Sequence, residues 1–369
     1  MPPKTPKRAP PKVHEWSKRE TVTADASKVE KGMVTPSPFK RVSSSPKLKM
    51  IPGGSAEARE MYPKLYWEKN DSTRPDVNFK KYPLDILVVS RVKKPRTFYA
   101  DDPEYPATAN KYPLISSSCV VCDSKGSIMN VYLTADDLPS LNDMARQARA
   151  ALKCAKNDLV PRHSFAMGGQ YGTDDYRARQ KNMNLRMNGT IWNDGLQTYT
   201  SRTPGWGGMY FTQYLRRRPG TDLTTFSLPF VSMYNVEVDA VPAIADARRK
   251  LLREKNIPSA FPGISGDLMP ATQVGISEHF SVRTHADSCI SAVTETIFWA
   301  NRGIRNARFA VTSLEIAFDI GKRPVILFQK GNEMHGTVPG PNGSCGLVLI
   351  SKRNTLQQFK RGDYSDRTG

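Results

Sequence analysis

The sequence predicts an α+β fold, a jelly-roll β core with flanking helices behind a disordered basic N-terminal tail. Three observations predict it. Short apolar runs separated by Gly, Pro and Asn crowd the C-terminal third. Two segments further up the chain carry helical spacing. The first 55 residues hold few large apolar side chains, and twelve Lys/Arg against four Asp/Glu.

Such a tail cannot bury enough surface to offset its ordering entropy, so residues 1–55 are expected to be disordered. Pro2-Pro3-Lys4-Thr5-Pro6-Lys7-Arg8 reads as a nuclear address or an arm for the DNA backbone. Thr5-Pro6, Ser37-Pro38 and Ser45-Pro46 read as proline-directed phosphorylation sites, where added phosphate would cancel the arm's charge. An inert tail is the alternative reading.

After it comes a strand at Ile86–Ser90, then a hairpin of Cys119–Cys122, a turn at Asp123–Gly126, and Ile128–Leu133. Pro139 and Ser140 open an amphipathic helix whose Leu141, Met144, Ala145, Ala148 and Leu152 share one face. Residues 159–234 show little periodicity and read as one long functional excursion. Within it Arg216, Arg217 and Arg218 are candidates for gripping a nucleic-acid backbone, with a plain surface loop as the alternative. A second helix is expected over Ala243–Lys255. Strand-like runs follow at His279–Asp287, Ala292–Ala300, Arg308–Phe318, Val325–Phe328 and Gly346–Ser351.

The net charge of +19 and pI of 9.7 favour a polyanionic partner, nucleic acid first. Without the tail the chain still carries +11. No apolar run reaches the ~20 residues of a membrane span, so no membrane association is expected. The charged, proline-rich start is unlike a secretory signal, and a soluble intracellular protein is expected. Five cysteines do not read as a disulfide framework, and Cys119-Val-Val-Cys122 reads as strand residues rather than half a zinc site.

The chemistry-bearing pattern is Arg283-Thr-His285-Ala-Asp287, answered by a lone His335 48 residues after the aspartate. On a strand, side chains two apart share a side, so His285 and Asp287 could grip one ion while His335 arrives from a strand folded back over them. Two imidazoles and a carboxylate on one face of an octahedral iron leave positions open for a cosubstrate and O₂.

These residues resemble the TET/JBP group of Fe(II)- and 2-oxoglutarate-dependent oxygenases of modified nucleic-acid bases, its small single-domain and fungal members above all. Three segments carry the likeness: Val120–Ile128 with its helix, Val282–Asp287, and Ile326–His335 with Gly346–Ile350. The resemblance implies a dioxygenase domain over residues 56–369, with a double-stranded β-helix metal-binding core at about 275–355. It implies Fe(II) held by His285, Asp287 and His335, with 2-oxoglutarate and O₂ as cosubstrates. Two departures stand out. The family's arginine, about ten residues after the distal histidine, falls here on Ser344 or Cys345, with Arg283, Lys352 or Arg353 as possible replacements. Its base-stacking aromatic falls on Ile350, with Lys352 beside it. The implied function is oxidation of a methylated base in double-stranded DNA in the nucleus, 5-methylcytosine first and N6-methyladenine as alternative. A protein hydroxylase or demethylase, or an inactive chromatin-binding protein, are the competing readings.

Overall fold

The computed structural model describes residues 48–62, 77–78, 81–82, 84–96, 98, 104–158, 188–200, 207–211, 223–254, 271, 273–281, 284–286, 294–330, 333–338 and 344–351. The chain divides into two units, residues 1–44 and 45–369, and every described residue belongs to the second. Among the described residues that unit is a mixed α+β structure with one ten-stranded and one four-stranded sheet. The expectations for the arm at residues 1–44 lie outside the described residues. The boundary at residue 55 shifts, however: Lys49–Ile51 form β1, paired with β2 (Asp85–Val88), and Ser55 caps a short helix, α1 (Ala56–Met61).

The hairpin read from the sequence is present as β4 (Cys119–Cys122) and β5 (Ile128–Thr134), its turn held by Asp123 accepting from the amides of Lys125 and Ser127. A short helix, α2 (Glu104–Ala109), and β3 (Leu114–Ile115) precede it. The amphipathic helix is α3 (Ser140–Asp158), with Leu141, Met144, Ala148 and Leu152 buried.

The long excursion is where the sequence misleads. Between residues 159 and 234 lie β6 (Asn188–Thr200), β7 (Gly207–Phe211) and most of α4 (Leu223–Ala240). Glycines inside β6 and β7 and Pro229 inside α4 hide elements that pairing and burial nonetheless stabilise. Helix α5 (Pro242–Glu254) follows, as expected, with proline at its first position.

The remaining strands are β8 (Gln273–Ser281), β9 (Thr294–Trp299), β10 (Arg308–Val311), β11 (Ile316–Asp319), β12 (Val325–Lys330), β13 (His335–Val338) and β14 (Cys345–Ile350). The expected single strand at Arg308–Phe318 is a hairpin, because the chain turns at Thr312–Glu315, where Glu315 takes a φ of 51°. The large sheet runs β1-β2-β4-β5-β12-β9-β14-β8-β6-β7, and the small one β13-β10-β11-β3.

Alternation on these strands builds two cores. On one face of the large sheet, Val131, Leu133, Phe298, Ile326, Phe328 and Leu347 pack under α3, α4 and α5. On the other, Tyr132, Ile297, Trp299, Val325 and Leu327 meet Phe309, Val311, Ile316 and Phe318 of the small sheet. Under the helices a buried Arg248–Glu237 pair, 3.3 Å apart, is completed by Thr296, whose hydroxyl donates to Glu237 at 2.7 Å. Among the described residues, no helix is long and apolar enough to cross a membrane.

Candidate metal centre

His285 and His335 form an isolated antiparallel bridge between the Thr284–Ala286 segment and β13; β8 ends at Ser281, so the strand expected over His279–Asp287 does not run on to His285. The His335 amide donates to the His285 carbonyl and the His285 amide to the His335 carbonyl, both at 2.8 Å. A pair that exchanges both bonds puts its side chains on the same side. The two imidazoles are accordingly neighbours, ring centroids 4.7 Å apart.

The flanking residues make this approach possible. Thr284 is buried; its amide donates to the Phe98 carbonyl at 2.8 Å, and its hydroxyl accepts from the Phe98 amide at 2.7 Å. Across from it Gly336 has no room for a side chain: a Cβ there would lie 2.7 Å from the Tyr105 hydroxyl and 3.1 Å from Thr284 Cγ2. Burial pushes the Tyr105 phenol far above its ordinary range, so it stays protonated.

The setting of His335 fixes its tautomer. The ring is buried against Phe309, centroids 5.2 Å apart. Its Nδ1 lies 2.7 Å from the Glu333 carbonyl oxygen and 3.0 Å from Gln329 Nε2. A carbonyl can only accept, so the shorter contact requires a proton on Nδ1. With Nδ1 so engaged, Nε2 is the nitrogen that would face a cation, the arrangement found in metal-bound histidines. Glu333 is held in turn: Ser313 Oγ donates to its carboxylate at 2.7 Å, and Arg91 pairs with it. The Glu333 of the Lys330–Glu333 run thereby positions the carbonyl that orients the histidine.

Next to Nε2 stands a residue that the sequence reading missed. Glu295 Oε2 is 3.9 Å away and accepts from Gln329 Nε2 at 3.1 Å. Gln329 pairs in register with Glu295 on one side and with Asn130 on the other, so three polar side chains form a row across β9, β12 and β5. All three are buried. No signal in the sequence singles out Glu295, which stands between Thr294 and Thr296; the pairing with β12 places it in this row.

The other candidates divide. Ile350 follows Leu349, which pairs with Thr296, so the register carries it to Glu295 at this end of the sheet. Ser344 precedes β14 at its opposite end, about 20 Å away along a strand by its rise per residue. The structure does not bring Ser344 to the histidines; its carbonyl accepts from the His279 amide at 3.0 Å. Cys345 is likewise at the far end, a buried free thiol pushed up to about 12 by burial. Asp287, Arg283, Lys352, Arg353 and Arg216–Arg218 lie outside the described residues. Among the described residues, no three His, Cys, Asp or Glu side chains converge to hold a metal ion by themselves. Two neighbouring imidazoles, one of them oriented through Nδ1, are a donor set that fits a metal, and Asp287 follows His285 by two residues in the sequence.

No protein-family model matches this chain. No curated protein matches it either. Among solved structures the chain is similar to NgTET1 in complex with 5mC DNA, with a TM-score of 0.42 and 11% sequence identity over 68% of this chain and 87% of that one. A likeness of that size carries no argument about activity.

Proposed function

We propose that the chain is an Fe(II)-dependent dioxygenase that oxidises the methyl group of a modified base in DNA. The observation that carries the reading is the His285–His335 pair, joined by reciprocal backbone hydrogen bonds, with the buried His335 ring oriented through Nδ1 by the Glu333 carbonyl. In this reading the two sheets form a double-stranded β-helix core, and Asp287 joins the histidines as third ligand. With O₂ and a 2-oxo acid, 2-oxoglutarate by the resemblance, iron supplies an oxidant for a methyl C–H bond.

The chain's own residues supply position and exclusion of water. The Glu333 carbonyl and Phe309 hold the His335 ring, and the buried inter-sheet interior keeps solvent from it. Ile350 provides an apolar edge where an extruded base would enter. The net charge of +19 supplies sequence-independent attraction to phosphates, consistent with a nuclear DNA substrate. The 5-methylcytosine reading predicts a hydroxymethyl product that persists, whereas N6-methyladenine predicts loss of formaldehyde.

The test incubates the protein with Fe(II), 2-oxoglutarate and separate duplexes carrying each base, then weighs the digested nucleosides. Oxidised or demethylated base that is lost with His335→Ala supports the reading. Absence of any product from either duplex sinks it.

A further inference from the structure

On the helix side of the large sheet, three arginines line one cleft of about 290 Å³, a size at the small end for small-molecule sites. Arg146 and Arg149 stand one turn apart on α3, and Arg302 reaches the cleft from the loop after β9. The apolar part of the lining is Ala145, Ala300 and Pro324. The loop is fixed from within. Asn301 is fully buried, its Nδ2 donating to the Ile320 carbonyl at 2.7 Å and its Oδ1 accepting from the Cys345 amide at 2.9 Å. The Gly303 amide donates to the Lys322 carbonyl at 3.1 Å. Two further bonds join helix and loop in both directions: Arg149 Nη2 donates to the Ala300 carbonyl and Arg302 Nη2 to Asn142 Oδ1, each at 2.8 Å.

We propose that this cleft binds a small phosphorylated molecule, with its phosphate between Arg149 and Arg302 and an apolar body against Ala145, Ala300 and Pro324. Asp143 pairs with Arg146, whereas among the described residues no carboxylate pairs with Arg149 or Arg302. Like charges gathered on one cleft repel one another, and a dianionic phosphate relieves that repulsion. Each guanidinium has five N–H donors, and the two bonds to Ala300 and Asn142 engage Nη2 alone, so Nε and Nη1 are left to meet phosphate oxygens. Convergence on one small cavity suits a small molecule; a nucleic-acid backbone needs cations strung along a groove. Ala300 follows β9 and Pro324 precedes β12, at the end of these paired strands away from Glu295 and Gln329. By the strand rise the cleft lies about 17 Å along β9 from Glu295. A base at the histidines does not fill it, and the site stands whether or not those histidines hold a metal.

The experiment titrates the full chain at pH 7.5 with phenyl phosphate and, separately, with inorganic phosphate, by calorimetry. Wild type is compared with Arg302→Gln and Arg149→Gln, with unfolding midpoints measured to establish that each variant is folded. Wild type is expected to take one phenyl phosphate per chain, at least tenfold more tightly than inorganic phosphate. Each variant is expected to lose at least tenfold in that affinity, because a charge-assisted pair to the phosphate is gone. Phenyl phosphate should also raise the unfolding midpoint of wild type and not that of Arg302→Gln. No binding to wild type, or equal affinity in wild type and both folded variants, overturns the proposal. So does equal affinity for the two phosphates, which would leave the apolar lining without a role. A short DNA duplex that displaces phenyl phosphate from wild type mole for mole would assign the arginines to a nucleic-acid backbone and overturn it as well.

Discussion

Replacing Gly336 by alanine tests how the two histidines are brought together. The added Cβ would stand 2.7 Å from the Tyr105 hydroxyl, 3.1 Å from Thr284 Cγ2 and 3.3 Å from Thr284 Cα. The first contact is closer than real Cβ atoms come, and the last is backbone, so β13 and the Thr284–Ala286 segment must part. Overpacking of this kind costs about 1–3 kcal/mol. Tyr105 makes the test specific. Its hydroxyl is buried without a hydrogen-bond partner among the described residues, so Tyr105→Phe is expected to be neutral or mildly stabilising. In the double variant the nearest clash is gone and only the Thr284 contacts remain. Urea unfolding of the four proteins is expected to give a coupling of about 1 kcal/mol or more in favour of the pair. Gly336→Ala should also lower Co(II) affinity, and Tyr105→Phe should restore part of it. Additive free energies, or a Gly336→Ala protein as stable as wild type, would refute the packing argument.

Glu237→Gln leaves Arg248 buried without its counter-charge, so a loss of about 3–5 kcal/mol is expected in denaturant unfolding, partly recovered in Glu237→Leu/Arg248→Met. Phe328→Ala, under the helices, should cost about 3–5 kcal/mol by the same measurement and leave the His335 surroundings intact. Burial pushes the Cys119 and Cys345 thiols up to about 12 from an ordinary 9.0, so both are protonated in the fold and ionise more readily when it opens. Their contribution to stability is therefore complete below pH 9 and lost as the pH rises toward 12, which unfolding midpoints from pH 8 to 11 would follow. Gln329→Leu should loosen the His335 ring and remove the donor to Glu295, weakening Co(II) binding tenfold or more while Gln329→Glu shows a different absorption spectrum of the bound metal.

The parts of the fold with clean periodicity were legible in the sequence. Helix α3 buries one face, so spacing revealed it, whereas the hairpin ending at Thr134 is buried on both faces and was legible from its short apolar runs around the Asp123–Gly126 turn. Helix α4 was hidden although Phe226, Phe230, Met233, Tyr234 and Glu237 do follow helical spacing. Pro229 interrupts that pattern, and the buried glutamate reads as an exposed residue. Strand β13 has four residues, one of them Gly336, too few for a pattern. At the site the two histidines were legible as a motif, and the structure adds the reciprocal hydrogen bonds that pair them. Glu295 was not legible, because in Thr294-Glu295-Thr296 alternation cannot tell which polar residue faces the core. That depends on the pairing with β12, which is a property of the fold.

The most direct measurement is equilibrium dialysis of anaerobic Fe(II) against the full chain, wild type beside His285→Ala, His335→Ala and Asp287→Ala. The account predicts one ion per chain in wild type and loss of that ion in each histidine variant, with far-ultraviolet spectra unchanged. An ion retained by both histidine variants, or a wild type that holds none, would contradict it.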